Sequence, residues 1–235
     1  MVRSFAKVHA GKVHLWLLIV LTFSTGVVDA AGFLGLGRVF VGNMTGNIVI
    51  LGMGVAGADE LPVTGPLVAL LAFILGAVIA GAALRGQEPG WNQRITYCLG
   101  CGAAVLAICA VLASADRPLG KELFELLAAA AVAGVMGGQA TVARKVDVKD
   151  VTTVVVTSTL TLFAADLPTK PVAAALGNRR VAAIVAILLG AGVGALLHLH
   201  IGTWMGLTLA AGLTGIVAAV GHFHTRTLAL APSGV

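Results

Sequence analysis

The chain has 235 residues, of which 58% are hydrophobic and 11% are charged, and its mean hydropathy is +1.00. A water-soluble globule of this size cannot bury so much apolar surface, so the composition excludes a soluble protein and predicts an integral membrane protein. The formal charge of +5 does not indicate nucleic-acid binding, because the basic residues lie in short loops between apolar runs, where they determine membrane topology.

Six apolar runs have roughly the ~20 residues that a membrane crossing requires. In chain order these predicted spans are 13–36, 65–84, 95–114, 122–143, 180–198 and 202–221. The N-terminus is basic and then apolar, like a signal peptide. Its apolar run continues without a small-x-small cleavage site, so we interpret it as the first span.

Two further segments, 39–58 and 150–165, differ from the spans. Each opens with β-branched residues, "RVFVGN" and "DVTTVVV", and becomes helix-like at a cluster of small, hydroxyl or amide residues. We predict an extended strand followed by a capped helix in each segment, with Thr45 and Thr157 as the caps.

The two segments belong to an internal repeat. Residues 26–52 align with residues 137–166, so that Asp29 falls opposite Gln139. The likeness continues in the later helices, where the matching ranges are 75–84 with 189–198 and 96–107 with 203–214. We therefore predict one membrane domain, 1–235, built from a first repeat at 13–114 and a second at 122–221.

Loop charges predict the topology of this domain. If both strand-helix segments enter and leave on the same side, twelve of the 15 Lys and Arg residues lie in the cytoplasm, and only Arg38, Arg117 and Lys121 lie outside. If all eight elements cross, the split is nine to six, which fits the positive-inside rule less well. The predicted fold is therefore all-α, with six transmembrane helices and two re-entrant strand-helix segments. Its halves run in opposite directions, and such an inverted-topology repeat is typical of transporters and some channels.

The polar residues of the re-entrant segments predict a site for a small anion or polar solute near the membrane midplane. Extended backbone at that depth must be buried in protein or line a wet cavity. Two helix N-termini that face each other would present unpaired N–H groups and partial positive charge to a shared point. The predicted substrate-binding residues are Asn43, Thr45, Gly46, Asn47, Gln139, Thr157, Ser158 and Thr159.

Asp29 is a carboxylate inside the first span, and such a group is by default a functional candidate. In one interpretation it is a proton or cation site beside the polar centre, and Gln139 is its neutral counterpart. In the other it lies near the outer end of the first helix and is hydrogen-bonded to a neighbouring Thr or Asn.

Other residue patterns have structural interpretations. Cys98 and Cys101 are spaced CxxC, but no second ligand pair follows, so we interpret these residues and Cys109 as packing residues rather than a redox or metal site. His198 and His200 are spaced HxH at the end of a span, where histidines are usually interfacial, and we predict no metal site. The glycines of "LGAVIAG" and "LLGAGVGA" are predicted to allow close helix crossing.

The string "TGVVDAAGFLGLGRVFVGNMTGNIVILG", with a weaker second copy ending in "VTSTLTLFAADL", resembles the YoaK family of bacterial inner-membrane proteins over nearly the whole chain. The resemblance implies a location in the bacterial inner membrane and brings no settled activity with it. A strand-then-helix in each inverted half is also similar in architecture to the core of nucleobase and of sulfate or bicarbonate transporters, although fold does not fix function.

Together these patterns favour a secondary transporter of a small anionic or polar solute, with Asp29 coupling transport to protons. The alternatives are a passive channel or facilitator and a membrane protein with a structural or signalling role. The sequence offers no nucleophile-base pair, metal cluster or phosphate-binding loop, so we expect neither an enzyme nor a cofactor. The expected partners are a small-molecule or ion substrate, the bilayer and a second copy in a homodimer, with both termini in the cytoplasm.

Overall fold

The computed structural model describes residues 2–58, 61–115, 120–146, 160–161, 164–165 and 179–230. The helices with bounds in these ranges are α1 (Val2–Gly35), α2 (Met44–Val55), α3 (Thr64–Ala83), α4 (Gln93–Ser114), α5 (Lys121–Val146), α6 (Arg179–His200) and α7 (Thr203–Leu230). All except α2 are long and apolar enough to cross a membrane, and α1 qualifies from Gly11 onward. The predicted all-α membrane protein with six candidate spans is therefore confirmed.

The predicted strand before α2 is wrong, since the described residues contain no β-strand. Residues 36–43 form turns and bends, and the amides of Val41 and Gly42 donate to a side chain of α1 rather than to a neighbouring strand. The β-branched residues there favour extended backbone, but a strand needs a partner, and the described chain supplies none. The second predicted strand, at the start of 150–165, lies outside the described residues.

The helices run alternately between two ends of the bundle. At one end, which we call the N-terminal end, the ring of His14 lies 5.9 Å from that of Trp91 and 6.2 Å from that of His224, and the amide of Gly90 donates to the carbonyl of Lys145. These contacts bring together the start of α1, the α3–α4 loop, the end of α5 and the end of α7.

The opposite end of the bundle, which we call the distal end, collects the remaining termini. Gly35 packs against Thr203 and His198, which joins the end of α1 to the end of α6 and the start of α7. Gly65, in the first turn of α3, packs against Val39. Since α5 ends and α6 begins at the N-terminal end, α1, α4 and α6 run one way and α3, α5 and α7 run the other.

The short helix α2 lies within the distal half of the bundle. Its first turn is tied to Asp29, which is six residues, or about 9 Å, before the end of α1. Gly54, near its other end, packs against the backbone of Leu61 and Pro62, which leads directly into α3 at the distal end. The chain therefore folds back along α1 after Gly35. Helix α2 then runs back toward the distal end, where α3 begins. The start of α2 is nearer the distal end than the predicted midplane.

Glycines set the closest helix crossings, as the sequence predicts. The most extensive packing is between α1 and α6, between α3 and α5 and between α4 and α7. A Cβ atom on Gly190 would overlap the carbonyl oxygen of Phe23, and one on Gly76 would overlap the carbonyl oxygen of Gly134. Backbone-to-backbone approach of this kind lets helices associate in lipid, where the hydrophobic effect does not drive them together.

Two glycines of α6 provide a matched test of this packing. Gly190→Ala is expected to lower stability by about 1–3 kcal/mol, because its methyl group would meet the backbone of α1 and force the two helices apart. Gly192→Ala is the control, since a Cβ atom at Gly192 has nothing within 4 Å. That change is expected to be neutral or to stabilise α6 by up to about 1 kcal/mol. Thermal unfolding in detergent measures both, and equal melting temperatures would contradict the assignment of Gly190 to the α1–α6 crossing.

Candidate functional site

Asp29 anchors the fold-back that precedes α2. Its Oδ1 atom accepts three backbone N–H groups, from Val41 at 2.9 Å, Gly42 at 2.7 Å and Asn43 at 3.3 Å. The side chain is 8% exposed, so these bonds replace the hydrogen bonds to water that the carboxylate and the buried amides of Val41 and Gly42 lose on folding. The structural interpretation of Asp29 from sequence expected a bond to a neighbouring Thr or Asn; Asn43 is one of the three partners observed, through its backbone amide, and Val41 and Gly42 are the other two.

Two asparagines complete the turn and start α2. The Asn43 Oδ1 atom accepts the amide of Gly46 at 3.2 Å and is the N-cap of the helix. The Asn47 side chain bonds both backbone groups of Phe40: its Oδ1 accepts the amide at 2.9 Å and its Nδ2 donates to the carbonyl at 2.6 Å. The two asparagines therefore supply hydrogen bonds to backbone groups that have no partner in a helix or a strand.

The prediction that Thr45 caps α2 is wrong. Thr45 is the second residue of the helix and is exposed, and the cap is Asn43, two residues earlier. An Asn side chain in the N-cap position reaches the third helical amide directly, so the helix needs no hydroxyl within its first turn. Gly46 is confined for a different reason, since a Cβ atom there would lie 2.7 Å from the ring of Phe40.

Small residues let the fold-back lie directly on α1. A Cβ atom on Gly32 would be 2.8 Å from the carbonyl oxygen of Val39, and one on Gly42 would be 2.8 Å from the methyl group of Thr25. Phe33 and Phe40 stack above this contact with ring centroids 4.8 Å apart. Gly32, Gly42, Phe33 and Phe40 thus share one role, which is to hold residues 36–43 against α1.

Gln139 joins α5 to the same region of α1. Its Nε2 atom donates to Thr25 Oγ1 at 3.1 Å and to the carbonyl of Leu21 at 3.4 Å. Thr25 in turn donates to Leu21 at 2.9 Å and touches Gly42, so it lies between Gln139 and the Asp29 turn. Of the predicted site residues that the structure describes, Asp29, Gln139 and Asn47 are therefore gathered on one side of α1, whereas Thr45 points away from the interior.

Thr25 is a site residue that the sequence reasoning missed. The signal available was the run "TFST" at 22–25, which places three hydroxyl residues inside an apolar span. Thr22, Ser24 and Thr25 are all buried. The remaining predicted site residues, Thr157, Ser158 and Thr159, lie outside the described residues.

The other patterns noted in the sequence do not join this site. His198 Nδ1 lies 3.0 Å from Thr203 Oγ1 at the distal end. The three cysteines are free thiols on α4. Among the described residues no group of three or more His, Cys, Asp or Glu side chains is close enough together to hold a metal ion.

Two cavities lie away from the Asp29 turn. A groove of about 580 Å³ between α3, α4 and α5 is lined almost entirely by apolar and small residues, among them Leu75, Gly76 and Cys101. A pocket of about 500 Å³ at the distal end includes Glu122 and Glu125. Neither is lined by Asp29. Leu36, Gly37 and Val39 of the fold-back line the second pocket, so the fold-back packs on α1 with one face and borders the distal pocket with another.

Comparison with known proteins agrees with the membrane fold. The family described as "Protein of unknown function (DUF1275)" matches residues 17–220. The chain is also 32% identical over 152 residues to the UPF0700 transmembrane protein YoaK of Bacillus subtilis (strain 168). The aligned part covers 64% of this chain and 66%, just under two thirds, of that relative. The resemblance to the YoaK family is therefore confirmed. No solved structure matches the chain.

Asp29 can be tested for its structural role by two substitutions. Asp29→Ala is expected to destabilise the protein by about 1–3 kcal/mol for each of the three N–H groups that loses its acceptor. Asp29→Asn keeps an acceptor oxygen in the same place and is expected to remain close to wild type in stability. Thermal unfolding and size-exclusion profiles in detergent measure the difference, and an Ala variant as stable as the Asn variant would contradict this role.

Proposed function

This chain belongs to the DUF1275 family, and we propose that it is a secondary transporter of a small anionic or polar solute. The observation that carries the proposal is the interrupted segment at residues 36–55, where the chain turns inside the bundle and starts a new helix there. Non-helical backbone at membrane depth is tolerated only where protein or a wet cavity surrounds it, and in transporters such breaks mark substrate sites.

The start of α2 has the chemistry that an anion or polar solute requires. A helix N-terminus carries about half a positive charge and directs free N–H groups outward. Asn43 and Thr45, both exposed at this start, are the side chains that we assign to solute contact. The predicted second helix start, at Thr157 to Thr159, lies outside the described residues.

The inverted repeat that the proposal requires is supported by matching helix crossings. The α1–α6 pair in the two-repeat scheme corresponds to the α5–α3 pair, and both are among the most extensively packed pairs. Gly26 packs against the backbone of Ile187 and Ala191, and Gly137 packs in the same way against Phe73 and Ala77. Ile187 and Ala191 have residue numbers 114 higher than Phe73 and Ala77. The aligned ranges 75–84 and 189–198 are offset by the same 114 residues.

The glycine crossings modify one detail of the repeat alignment. Gly26 and Gly137 differ by 111 in number, whereas pairing Asp29 with Gln139 uses an offset of 110. If the offset of 111 residues between Gly26 and Gly137 is used for the alignment, the counterpart of Asp29 in the second repeat is Ala140. Asp29 is then unique to the first repeat, which fits a single coupling group better than a symmetric pair.

The proposed orientation places the N-terminal end of the bundle in the cytoplasm and the distal end outside, in the inner membrane of a bacterium. Arg85, Arg94, Arg144 and Lys145 lie at or near the N-terminal end, whereas Arg38 lies at the distal end. This distribution follows the positive-inside rule. Both termini are then cytoplasmic, and α2 re-enters from outside without crossing.

Two single cysteines in a background without the native Cys98, Cys101 and Cys109 test this topology. With six crossings, Ala58→Cys should react with an impermeant thiol reagent added outside intact cells, and Glu88→Cys should react only after permeabilisation. Both positions are exposed and lie in loops, so access to reagent depends on the side of the membrane. The reverse labelling pattern would contradict the proposed topology, because it would mean either that α2 crosses or that both termini lie outside.

The proposed mechanism is a rocking motion of one group of helices against the other, with Asp29 coupling the step to protons. A carboxylate inside a span is the group through which a proton gradient can act, and a passive pore does not need one. The fold-back amides that bind Asp29 Oδ1 connect its protonation to the position of α2.

Asp29→Asn is expected to abolish the pH dependence of uptake in proteoliposomes while leaving the protein folded. Sulfate, phosphate, bicarbonate and acetate are the probes, and internal pH is followed with a trapped dye. Glu88→Gln, which changes an exposed loop carboxylate, is the control and should behave as wild type. An Asn variant that still accumulates solute under an imposed proton gradient would rule out coupling through Asp29. Non-saturating downhill flux of solute in the wild type would replace the transporter with a facilitator.

A further inference from the structure

Three buried oxygen atoms near the middle of α1 have no hydrogen-bond partner within the described chain. They are Ser24 Oγ, Gln139 Oε1 and Thr214 Oγ1, on α1, α5 and α7, and we call these three residues the polar layer. Their side chains are 0%, 3% and 1% exposed. Buried polar groups are nearly always hydrogen-bonded, so three such atoms in one part of an apolar bundle point to a bound species.

The hydroxyl groups of the polar layer differ from their neighbours on the same helices. Thr22 and Thr25 on α1 donate to the carbonyl four residues earlier, at 2.8 and 2.9 Å, and Thr208 on α7 does the same at 2.9 Å. This internal bond is the usual way for a helix to satisfy a hydroxyl in an apolar environment. Ser24 and Thr214 do not make it, so both oxygens remain available to a ligand.

The helix register places the hydroxyls of Ser24 and Thr214 at one level. α1 and α7 run in opposite directions, with Gly35 against Thr203 at the distal end and His14 against His224 at the N-terminal end. Counting inward from either contact brings Ser24 opposite Thr214. No hydrogen bond joins their hydroxyls directly, so neither satisfies the other.

Gln139 belongs to the same level. Its Nε2 atom must be the one that donates to Leu21 and Thr25, because the Leu21 carbonyl can only accept. The Oε1 atom is therefore the free end of the amide, and it can only accept. The three unpartnered atoms of the polar layer are all oxygens, whereas the other unpartnered buried atoms of the described chain, on His14, Asn92 and His224, are nitrogens. Neutral oxygens are the ligands that hard cations prefer.

Charge also favours a cation. Asp29 is the one acidic residue among the buried residues that the structure describes, and no Lys or Arg side chain is buried in the same ranges. Asp29 lies five residues from Ser24 on α1, about 7.5 Å along the axis and about 140° around it, so it supplies negative charge to this part of the bundle without being a ligand of the polar layer. Buried charges are paired or bind metal ions, and the three amides on Asp29 supply hydrogen bonds but no formal charge.

We propose that the polar layer is a binding site for one monovalent metal cation, held by the oxygens of Ser24, Gln139 and Thr214. The inference goes beyond solute transport, since a cation can bind there whether or not a solute is carried. It also assigns a role to Ser24 and Thr214, which take no part in the fold-back around Asp29.

Radioactive ²²Na⁺ binding to the purified protein in detergent tests the site without any transport assay. The wild type is expected to show saturable binding of one ion per chain and a higher melting temperature in NaCl or KCl than in choline chloride at equal ionic strength. The double variant Ser24→Ala with Thr214→Val removes two of the three oxygens and should bind roughly tenfold more weakly or not at all. It is expected to fold, because it deletes hydroxyls that have no partner in the protein.

Thr208→Val is the matched control, since it removes an exposed hydroxyl of α7 that bonds within its own helix. It should retain wild-type ²²Na⁺ binding. Equal binding by the double variant and the control would overturn the proposal. If the wild type binds no ²²Na⁺ and melts at the same temperature in all three chlorides, the cation site is wrong and water occupies the layer. Uptake of solute by that same protein would leave the transporter proposal intact.

Discussion

The structure depends on one interaction, the acceptance of three backbone N–H groups by a single oxygen of Asp29. Inside a bilayer each unsatisfied amide costs several kcal/mol, so a chain that leaves helical geometry needs an acceptor from elsewhere in the protein. A carboxylate oxygen on a neighbouring helix is among the strongest acceptors available, and hydrogen bonds to it are stronger than those between neutral groups. Once residue 41 is fixed to α1, the start and direction of α2 follow.

The small and amide residues around this interaction have roles that derive from it. Gly32 and Gly42 allow the turn to come within bonding distance of Asp29, because any side chain there would meet backbone or Thr25. Asn47 then satisfies both polar groups of Phe40, which the turn leaves unpaired. These glycine and asparagine residues distinguish the segment from an ordinary apolar span. Their positions are explained by a backbone that turns back inside the bundle and needs close packing and hydrogen-bond partners there. Solute chemistry is not needed to account for the positions of its glycines.

Much of the fold was predictable from the sequence, because it rests on local signals. Six spans follow from the length of apolar runs, and the beginning of α2 follows from small and amide residues that disfavour a continuous span. The N-cap of α2 was predicted two residues too late, and a strand was predicted where turns occur. Residue propensity describes each residue alone, whereas the acceptor for the Val41 amide is Asp29, twelve residues away in the chain. The bond between Gln139 and Thr25 spans 114 residues, and no local pattern reports such a contact.

The same contacts indicate how the proposed motion can occur without breaking the fold-back. Gly26 and Gly190 join α1 to α6 by backbone contact, and Gly76 and Gly137 join α3 to α5 in the same way. Each pair is therefore suited to move as a rigid unit, since interdigitated backbones resist sliding more than loosely packed side chains do. The Asp29 turn is attached to α1 of the first pair, and the amide of Gln139 on α5 of the second pair bonds Thr25 and Leu21 of α1. A neutral hydrogen bond contributes only about 0.5–1.5 kcal/mol net, so it can be exchanged during a conformational change. The three bonds on Asp29 hold the start of α2 to α1, whereas the body of α2 packs against α3 of the second unit, so the motion would shift α2 against α3 while the fold-back stays bonded to α1.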